Sequence, residues 1–450
     1  MLSQWWMQMP QAEGLTADTT KDSWRAWYLL ALLSVAFILS MLDRTVISLL
    51  VEPIKADLQL NDTGIALLQG ATFAIFYALT GVPIGWLADR KNRRNIVGTG
   101  IGLWSAMTIL CGFAGSYATL FAARTGVAVG EAALNPAAYS MLTDRFSKGR
   151  LGRAIGIFTA AGVMGTGLAL LIGGKLYSHF VATGGWDLGW FLKPWQATFV
   201  AVGLPGIVLA ILIFLTVSEP KRHDTISAAS NDRTTATQGI WSFVSSRRAV
   251  YMPVFLGYGV LCIVGYAFVS WGPASLGRIY GLQPAEIGIK FGLIMLVFGS
   301  LGPILGGLLC DKLIKQGRNE GPILCMLGAS LFALLFSLAL FVPTGMNGTL
   351  IAYSGIALGF TAMLAAMQIA VQLITPPEFR ARAAALGLVF GNVIGLGIGP
   401  LLVGLLNDHV FTGVQGIALS LPIVLAASAA LGFAIVWPAR KAILSEQTPA

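Results

Sequence analysis

The chain is short of charge. Only 11% of its 450 residues are Asp, Glu, Lys or Arg, against about 25% in a soluble domain. Histidine is scarcer still. His179, His223 and His409 all fall in stretches read as loops, so none is placed to serve a buried relay. The four cysteines, Cys111, Cys262, Cys310 and Cys325, form no CxxC pair. That gives no support to a disulfide framework or a metal site, and small buried residues are expected instead. No GxxxxGK[ST] loop occurs, and no polar stretch is long enough for a nucleotide-hydrolysing domain, which argues against a primary pump. With no Ser/His pair and no clustered metal ligands, an enzyme embedded in the membrane would lack its catalytic group. Period-two alternation of the outer-membrane barrel type is also missing.

What the chain has is apolar length. It is 56% hydrophobic, with a mean hydropathy of +0.76. Twelve segments approach the roughly 20 residues needed to cross a bilayer: 26–51, 64–88, 95–115, 118–142, 152–175, 195–217, 249–276, 286–310, 321–342, 349–374, 382–406 and 413–437. Helices are the spanning form that remains, because every backbone polar group in hydrocarbon needs an internal partner. The fold expected is an all-α integral membrane protein of 12 transmembrane helices. Residues 1–23 lack the continuous apolar core of a signal peptide, so the first span itself is expected to direct insertion.

The net charge of +9 reads as topology rather than as a nucleic-acid surface. Numbering the loops in order, 22 of the 29 Lys and Arg fall on one side and five on the other, with Arg44 and Arg124 inside spans. Positive residues stay cytoplasmic, so both termini are expected there, with the protein multi-pass in a bacterial-type inner membrane.

One string occurs twice. Gly85, Asp89, Arg90, Arg93 and Arg94 form GxxxDRxxRR after the second span; Gly307, Asp311 and Lys312 form a looser GxxxDK after the eighth. Gly and Asp recur at the same offset of 222 residues. Repetition at half-length points to two pseudo-symmetric six-helix bundles, 26–217 and 249–437, the architecture of alternating access. Residues 1–25 and 438–450 are then tails, and the polar stretch 218–248 is the linker. The loop reads as a latch on the cytoplasmic face. Gly85 admits a neighbouring helix, Asp89 accepts from a helix N-terminus or an Arg, and Arg90, Arg93 and Arg94 anchor the loop. Glycine spacing repeats too: Gly156 to Gly174 in the fifth helix of one half and Gly387 to Gly404 in the fifth of the other. Small residues at three- and four-residue spacing let helix backbones approach closely, as a fixed packing surface or as a sliding one.

Four charges lie within spans: Asp43 and Arg44 in the first helix, Arg124 and Glu131 in the fourth. Each costs at least ~2.5–3.5 kcal/mol at a helix centre, so each needs a partner or a wet cavity. At ~1.5 Å per residue Asp43 and Arg124 are nearly level, with Glu131 ~10 Å nearer the cytoplasm on the Arg124 face and Asn135 one turn beyond. Two readings follow: a proton path through Asp43 and Glu131, their ionised forms stabilised by Arg44 and Arg124, or two fixed ion pairs between helices. Burial favours the protonated carboxyl and a nearby Arg the ionised one, so a group between the two effects can load and release a proton. No bound cofactor is expected; the driving force is the proton gradient.

Phe73, Tyr77 and Tyr139 in the first half, and Tyr266, Ser270, Trp271, Tyr353, Gln368, Gln372 and Asn392 in the second, suggest an amphipathic cavity. Its partners are then protons, the bilayer and an amphipathic small molecule, with no nucleic acid; a monomer is the default. The alternative is an organic anion–proton symporter in which Arg44 and Arg124 bind a substrate carboxylate.

These motifs together resemble the major facilitator superfamily, over essentially the whole chain. Leu42-Asp43-Arg44, Gly85-Trp86-Leu87-Ala88-Asp89-Arg90 with Asn92-Arg93, and Arg124 through Gly130-Glu131-Ala132 are similar to the Spinster branch. Spinster relatives carry sphingolipid phosphates or lysophospholipids, and bacterial relatives are often labelled multidrug transporters. The resemblance implies that Asp43 and Glu131 are coupling carboxylates and that Arg44 and Arg124 engage them or an anionic head group. Two departures stand out. Asn92 replaces the usual Gly of the loop motif, and the fifth helix lacks the Pro of the antiporter pattern, while Pro400 falls in helix eleven.

Overall fold

The computed structural model describes residues 22–447 apart from 188, 190, 221–239, 319, 377 and 378. Most of the expected N-terminal tail, the middle of the expected linker and His223 thus lie outside the described residues. Among the described residues, twelve long helices follow one another. The first six are α1 (Trp24–Leu49), α2 (Asp62–Ala88), α3 (Arg93–Cys111), α4 (Tyr117–Glu131, continued by Leu134–Arg145), α5 (Gly149–Ala182) and α6 (Pro194–Thr216). The second six are α7 (Arg248–Tyr280), α8 (Pro284–Lys315), α9 (Gly321–Ala339), α10 (Gly345–Ile374), α11 (Arg382–His409) and α12 (Ile417–Ile443). All but α3 and α4 are apolar enough to cross a bilayer by composition alone, and α4 is the helix that carries Arg124 and Glu131. Short connections make sequential helices antiparallel. Both described chain ends therefore emerge at one end of the bundle, called here the terminal end; the opposite end is the distal one.

Local chemistry sets the helix limits. Asn61 caps α2 by accepting the Gly64 N–H at 2.9 Å, and Asn92 caps α3 by accepting the Asn95 N–H at 3.0 Å. The Asn that departs from the loop motif thus starts a helix. Pro136 interrupts α4: it lacks an N–H and crowds the carbonyl four residues back, so the helix breaks between Glu131 and Leu134. Both second helices contain a π-helical turn, Leu67–Ala71 in α2 and Met295–Gly299 in α8, and α11 has another at Gly391–Leu396. The 5–6 connection folds into a two-residue hairpin, Trp186–Asp187 against Phe191–Leu192. His179 and His409 lie in the last turns of α5 and α11 rather than in loops, because both helices continue past their most apolar stretch. The four cysteines are buried and free.

The outer wall is apolar, with Leu215 79% exposed and Val208, Ile351 and Leu308 also facing outward; bilayer hydrocarbon is the solvent such a surface suits. Trp104, Trp271, Phe199 and Phe255 fill the interior.

The halves meet through glycine. A β-carbon on Gly167 of α5 would come within 2.8 Å of the Gly292 carbonyl of α8, and one on Gly174 within 2.7 Å of the Pro284 carbonyl. Symmetrically, one on Gly404 of α11 would come within 2.8 Å of the Asp62 carbonyl of α2. Each fifth helix therefore packs backbone-close on the second helix of the other half, as small residues allow. All these contacts lie in the distal parts of the helices. Towards the terminal end, Gly81, Gly85, Gly156 and Gly307 have open space where a β-carbon would stand. The molecule is a wedge, closed distally and open towards its termini.

Candidate functional site

The intramembrane charges converge where α1 and α4 cross. The α-helical part of α1 ends at Thr45 and passes into a 3-10 turn, Val46–Leu49, which places Asp43 and Arg44 in the last α-turn. The Arg44 Nη2 donates to Glu131 Oε2 at 2.6 Å, and Ser40 Oγ, one turn earlier on α1, donates to the same oxygen at 2.8 Å. Glu131 sits at the α4 break, its side chain 1% exposed against 20% for Arg44. The Arg44 guanidinium lies 4.2 Å over the Phe73 ring and 5.6 Å from that of Tyr77, so cation–π attraction steadies its charge beside the carboxylate. The two rings stack at 5.8 Å, and Asn135 Nδ2 donates to Tyr77 Oη at 3.3 Å. Tyr266 of the other half packs against the core cluster that contains Phe73, and its hydroxyl donates to Asn392 Oδ1 at 2.9 Å.

Arg124 and Asp43 are level, but they do not form an ion pair. Arg124 Nη1 donates to the backbone carbonyl of Asp43 at 2.9 Å. Its Nε and Nη2, and Asp43 Oδ1, are buried without a hydrogen-bond partner. Trp104 and Thr108 of α3 border the Asp43 carboxylate outside hydrogen-bond geometry. The alternative reading of two fixed ion pairs is thereby corrected to one pair, Arg44–Glu131, beside a buried group of donors and acceptors that are not matched. Gln69, in the π-turn of α2, adds a buried amide with neither atom bonded. Orphaned polar atoms at this density are costly in a static core.

A second charged cluster closes the distal end. Arg278 at the end of α7 donates to both oxygens of Asp62 at the start of α2, at 2.6 and 2.8 Å, and to Glu52 at 2.7 Å. Lys55 pairs with Asp62 from its own half. Asn407 Nδ2 donates to Asp62 Oδ2 at 2.7 Å, and the Asp62 and Thr63 N–H groups donate to the Asp408 carboxylate at 3.1 and 2.7 Å. The sequence reading placed none of these residues in a site.

Residues 33–400 match the profile of the Major Facilitator Superfamily. The chain belongs to that superfamily. An MFS-type efflux pump of Mycolicibacterium smegmatis is 32% identical over 417 residues, 92% of either chain. Protein spinster of Drosophila melanogaster is 26% identical over 394 residues, which is 85% of this chain and 62% of that protein. A crystal structure of a bacterial homologue of the human lysosomal transporter Spinster, in an inward-facing and unoccupied conformation, superposes with a TM-score of 0.81. The identity is 26%, covering 95% of this chain and 99% of that one. The chain is a Spinster-like facilitator, a transporter and not an enzyme, with the superfamily's two bundles of six helices.

In this facilitator the loop motif works mostly within its own half. Arg93 is 2% exposed. It donates to Asp144 at 2.5 Å, to Glu219 and Ser140 at 2.8 Å, and to the Pro220 carbonyl at 3.0 Å. The Arg94 N–H donates to the other Glu219 oxygen at 2.8 Å. Arg93 therefore welds the starts and ends of α3, α4 and α6 together, a correction to its reading as a surface anchor. Arg90 is exposed and lies 4.1 Å from the Trp86 ring. A β-carbon on Gly85 would meet nothing within 4 Å, so the close helix approach expected there is not made in this conformation. The Asp89 side chain lies outside the described residues. In the second copy Gly307 is likewise open, and Asp311 and Lys312 are exposed.

The aromatic candidates divide. Phe73, Tyr77, Asn135, Tyr266 and Asn392 gather around Arg44, while Tyr139 is exposed nearer the terminal end and edges onto Phe158. Trp271 and Tyr353 are wholly buried instead. The Trp271 indole donates to the Pro400 carbonyl at 2.9 Å, and Tyr353 bonds Ser275 between Phe268 and Phe291. With the distal end closed they are packing, not lining, and Ser270 beside them is buried too. Gln368 is part-exposed and Gln372 exposed, further along α10.

Proposed function

We propose that this facilitator is a proton-coupled secondary transporter of amphipathic, lipid-like or drug-like molecules. Asp43 and Glu131 take up and release the proton, and Arg44 and Arg124 are their charge partners. The observation that carries the reading is the Arg44–Glu131 pair. It stands where the two halves meet, with Arg44 part-exposed, Glu131 buried behind it and Tyr266 of the second half packed against the cluster that contains Phe73. Protonating Glu131 would release Arg44 from its carboxylate and leave it to Tyr77, Phe73 and an arriving ligand. A charge change at this point alters the contact between the halves, which is what coupling requires.

The surroundings favour an amphipathic ligand. Aromatic rings and two amide side chains surround a single reachable cation, so a long apolar portion has surface to cover and a polar head has one charge to meet. Both termini are assigned to the cytoplasm by the positive-inside rule, which makes the present wedge inward-open. We take the protein as a monomer in a bacterial-type inner membrane, driven by the proton gradient without a cofactor.

A thermal-shift screen of purified protein at two pH values tests the substrate class. Lysolipids, sphingosine phosphates and cationic drugs form one arm and short organic acids the other. Stabilisation by the amphipaths, changing with pH, supports the proposal. Stabilisation by short organic acids alone would favour the symporter reading, in which Arg44 holds a carboxylate.

A further inference from the structure

A cavity of about 240 Å³ lies at the terminal end, away from the central site, between the start of α1 and the ends of α4 and α6. Trp24, Arg25, Tyr28, Arg145, Thr216 and Ser218 line it. We propose that it seats the phosphate of an anionic phospholipid from the adjoining leaflet. The site takes no part in substrate transport and does not depend on which substrate is carried.

Its charge is the first argument. Arg25 and Arg145 both face the cavity, and among the described residues neither has a carboxylate within ion-pair distance. The acidic side chains of these helix ends are engaged elsewhere. Asp144 and Glu219 are held by Arg93, and Asp22 Oδ1 accepts the Ser147 N–H at 3.1 Å. The Arg145 Nη2 is fixed by the Ser218 carbonyl at 3.1 Å and the Ser218 hydroxyl at 2.9 Å, while its Nε is buried with no partner. A planar guanidinium held along one edge and unpaired on another is built for an oxyanion. Tyr28 and Thr216, which both line the cavity, are tied to each other by a hydrogen bond of 2.9 Å.

Position is the second argument, and it selects a lipid over a free ion. Trp24, 71% exposed, marks the height of the head groups. Leu212 and Leu215 of α6 and Val35 of α1 are exposed on the bilayer side, giving acyl chains an apolar wall below the phosphate. Basic pockets between helices near a membrane face suit anionic head groups. All lining residues belong to the first half, so the lipid would stay bound while the halves rock.

Native mass spectrometry of the full-length protein tests this, with phosphatidylglycerol and phosphatidylcholine of matched chains as probes. Preferential retention of phosphatidylglycerol is expected, falling about fivefold in Arg25→Gln and further when Arg145→Gln is added. Should the double variant misfold, exposed Arg25→Gln alone decides, and Arg25→Lys should keep the preference. Equal retention of the two lipids, or undiminished retention in Arg25→Gln, would overturn the proposal. So would displacement by inorganic phosphate at equal concentration, which would make the site one for a free anion. Displacement by a central-site ligand would place the lipid in the transport cavity and overturn it as well.

Discussion

Arg278 and Asp62 belong to different halves, 216 residues apart, yet one guanidinium holds both carboxylate oxygens at 2.6 and 2.8 Å. Both side chains are nearly buried, at 6% and 3% exposure. Removing one member of such a pair costs about 3–5 kcal/mol because the other is left uncompensated. Asp62→Asn or Arg278→Gln should therefore shift the balance towards an open distal end, by most of the about 5.5 kcal/mol that would invert a two-state balance from 99:1 to 1:99. Spin labels at exposed Gln59 and Thr412 report it: a longer-distance population should grow in either variant. Unchanged distances in both would show that the cluster is not a latch.

Glycine contacts make a paired prediction. Gly404→Val puts bulk against the backbone of Asp62 and the side chain of Ala66, at a cost of about 1–3 kcal/mol. The melting temperature should drop and the distal end loosen. At Gly85 a β-carbon enters open space in this conformation, so the melting temperature of Gly85→Leu should stay near wild type. Transport should nevertheless fail, because the terminal end can then no longer close over that position. A Gly85→Leu protein that transports normally would remove the motif from the gating cycle.

Arg93 should matter more for stability than its neighbours in the motif. Arg93→Ala removes the partner that Asp144 and Glu219 share at the junction of three helices, a loss of about 1.5–3 kcal/mol for each bond to a charged group. Arg90→Ala removes an exposed contact with Trp86 and should leave the melting temperature near wild type. Thermal unfolding in detergent distinguishes them; equal effects would contradict the buried-clamp description.

Ser40 offers a test of the proton site that spares its charges. Its hydroxyl donates to the Glu131 carboxylate at 2.8 Å, and a bond to a charged group is worth about 1.5–3 kcal/mol. Ser40→Ala removes that donor from the carboxylate and leaves the Arg44 contact in place. Gradient-driven transport should slow about tenfold, at about 1.4 kcal/mol per decade. An unchanged transport rate would argue that this bond takes no part in the cycle.

Arg44, Arg124, Asp43 and Glu131 could be read from sequence because a charge in hydrocarbon is expensive and rare. Ser40, Gln69 and Thr108 could not: neutral polar residues in apolar helices cost less and do not stand out. Asp62, Arg278 and Asp408 sit at helix ends, where charge is ordinary, and the meeting of the two halves brings them together. Arg93 looked like a topology marker because its partners, Asp144 and Glu219, come from two other helix ends. The distal closure likewise withdrew Trp271 and Tyr353 into packing, a property of conformation that residue type does not carry. The twelve spans and the half-length repeat were legible because bilayer thickness and duplication both leave long-range periodic marks.

The most direct measurement is substrate flux in proteoliposomes under an imposed pH gradient, comparing wild type with Asp43→Asn and Glu131→Gln. Gradient-driven flux should be present in wild type and lost in both variants, with ligand binding retained. Undiminished gradient-driven flux in both variants would contradict proton coupling at this site.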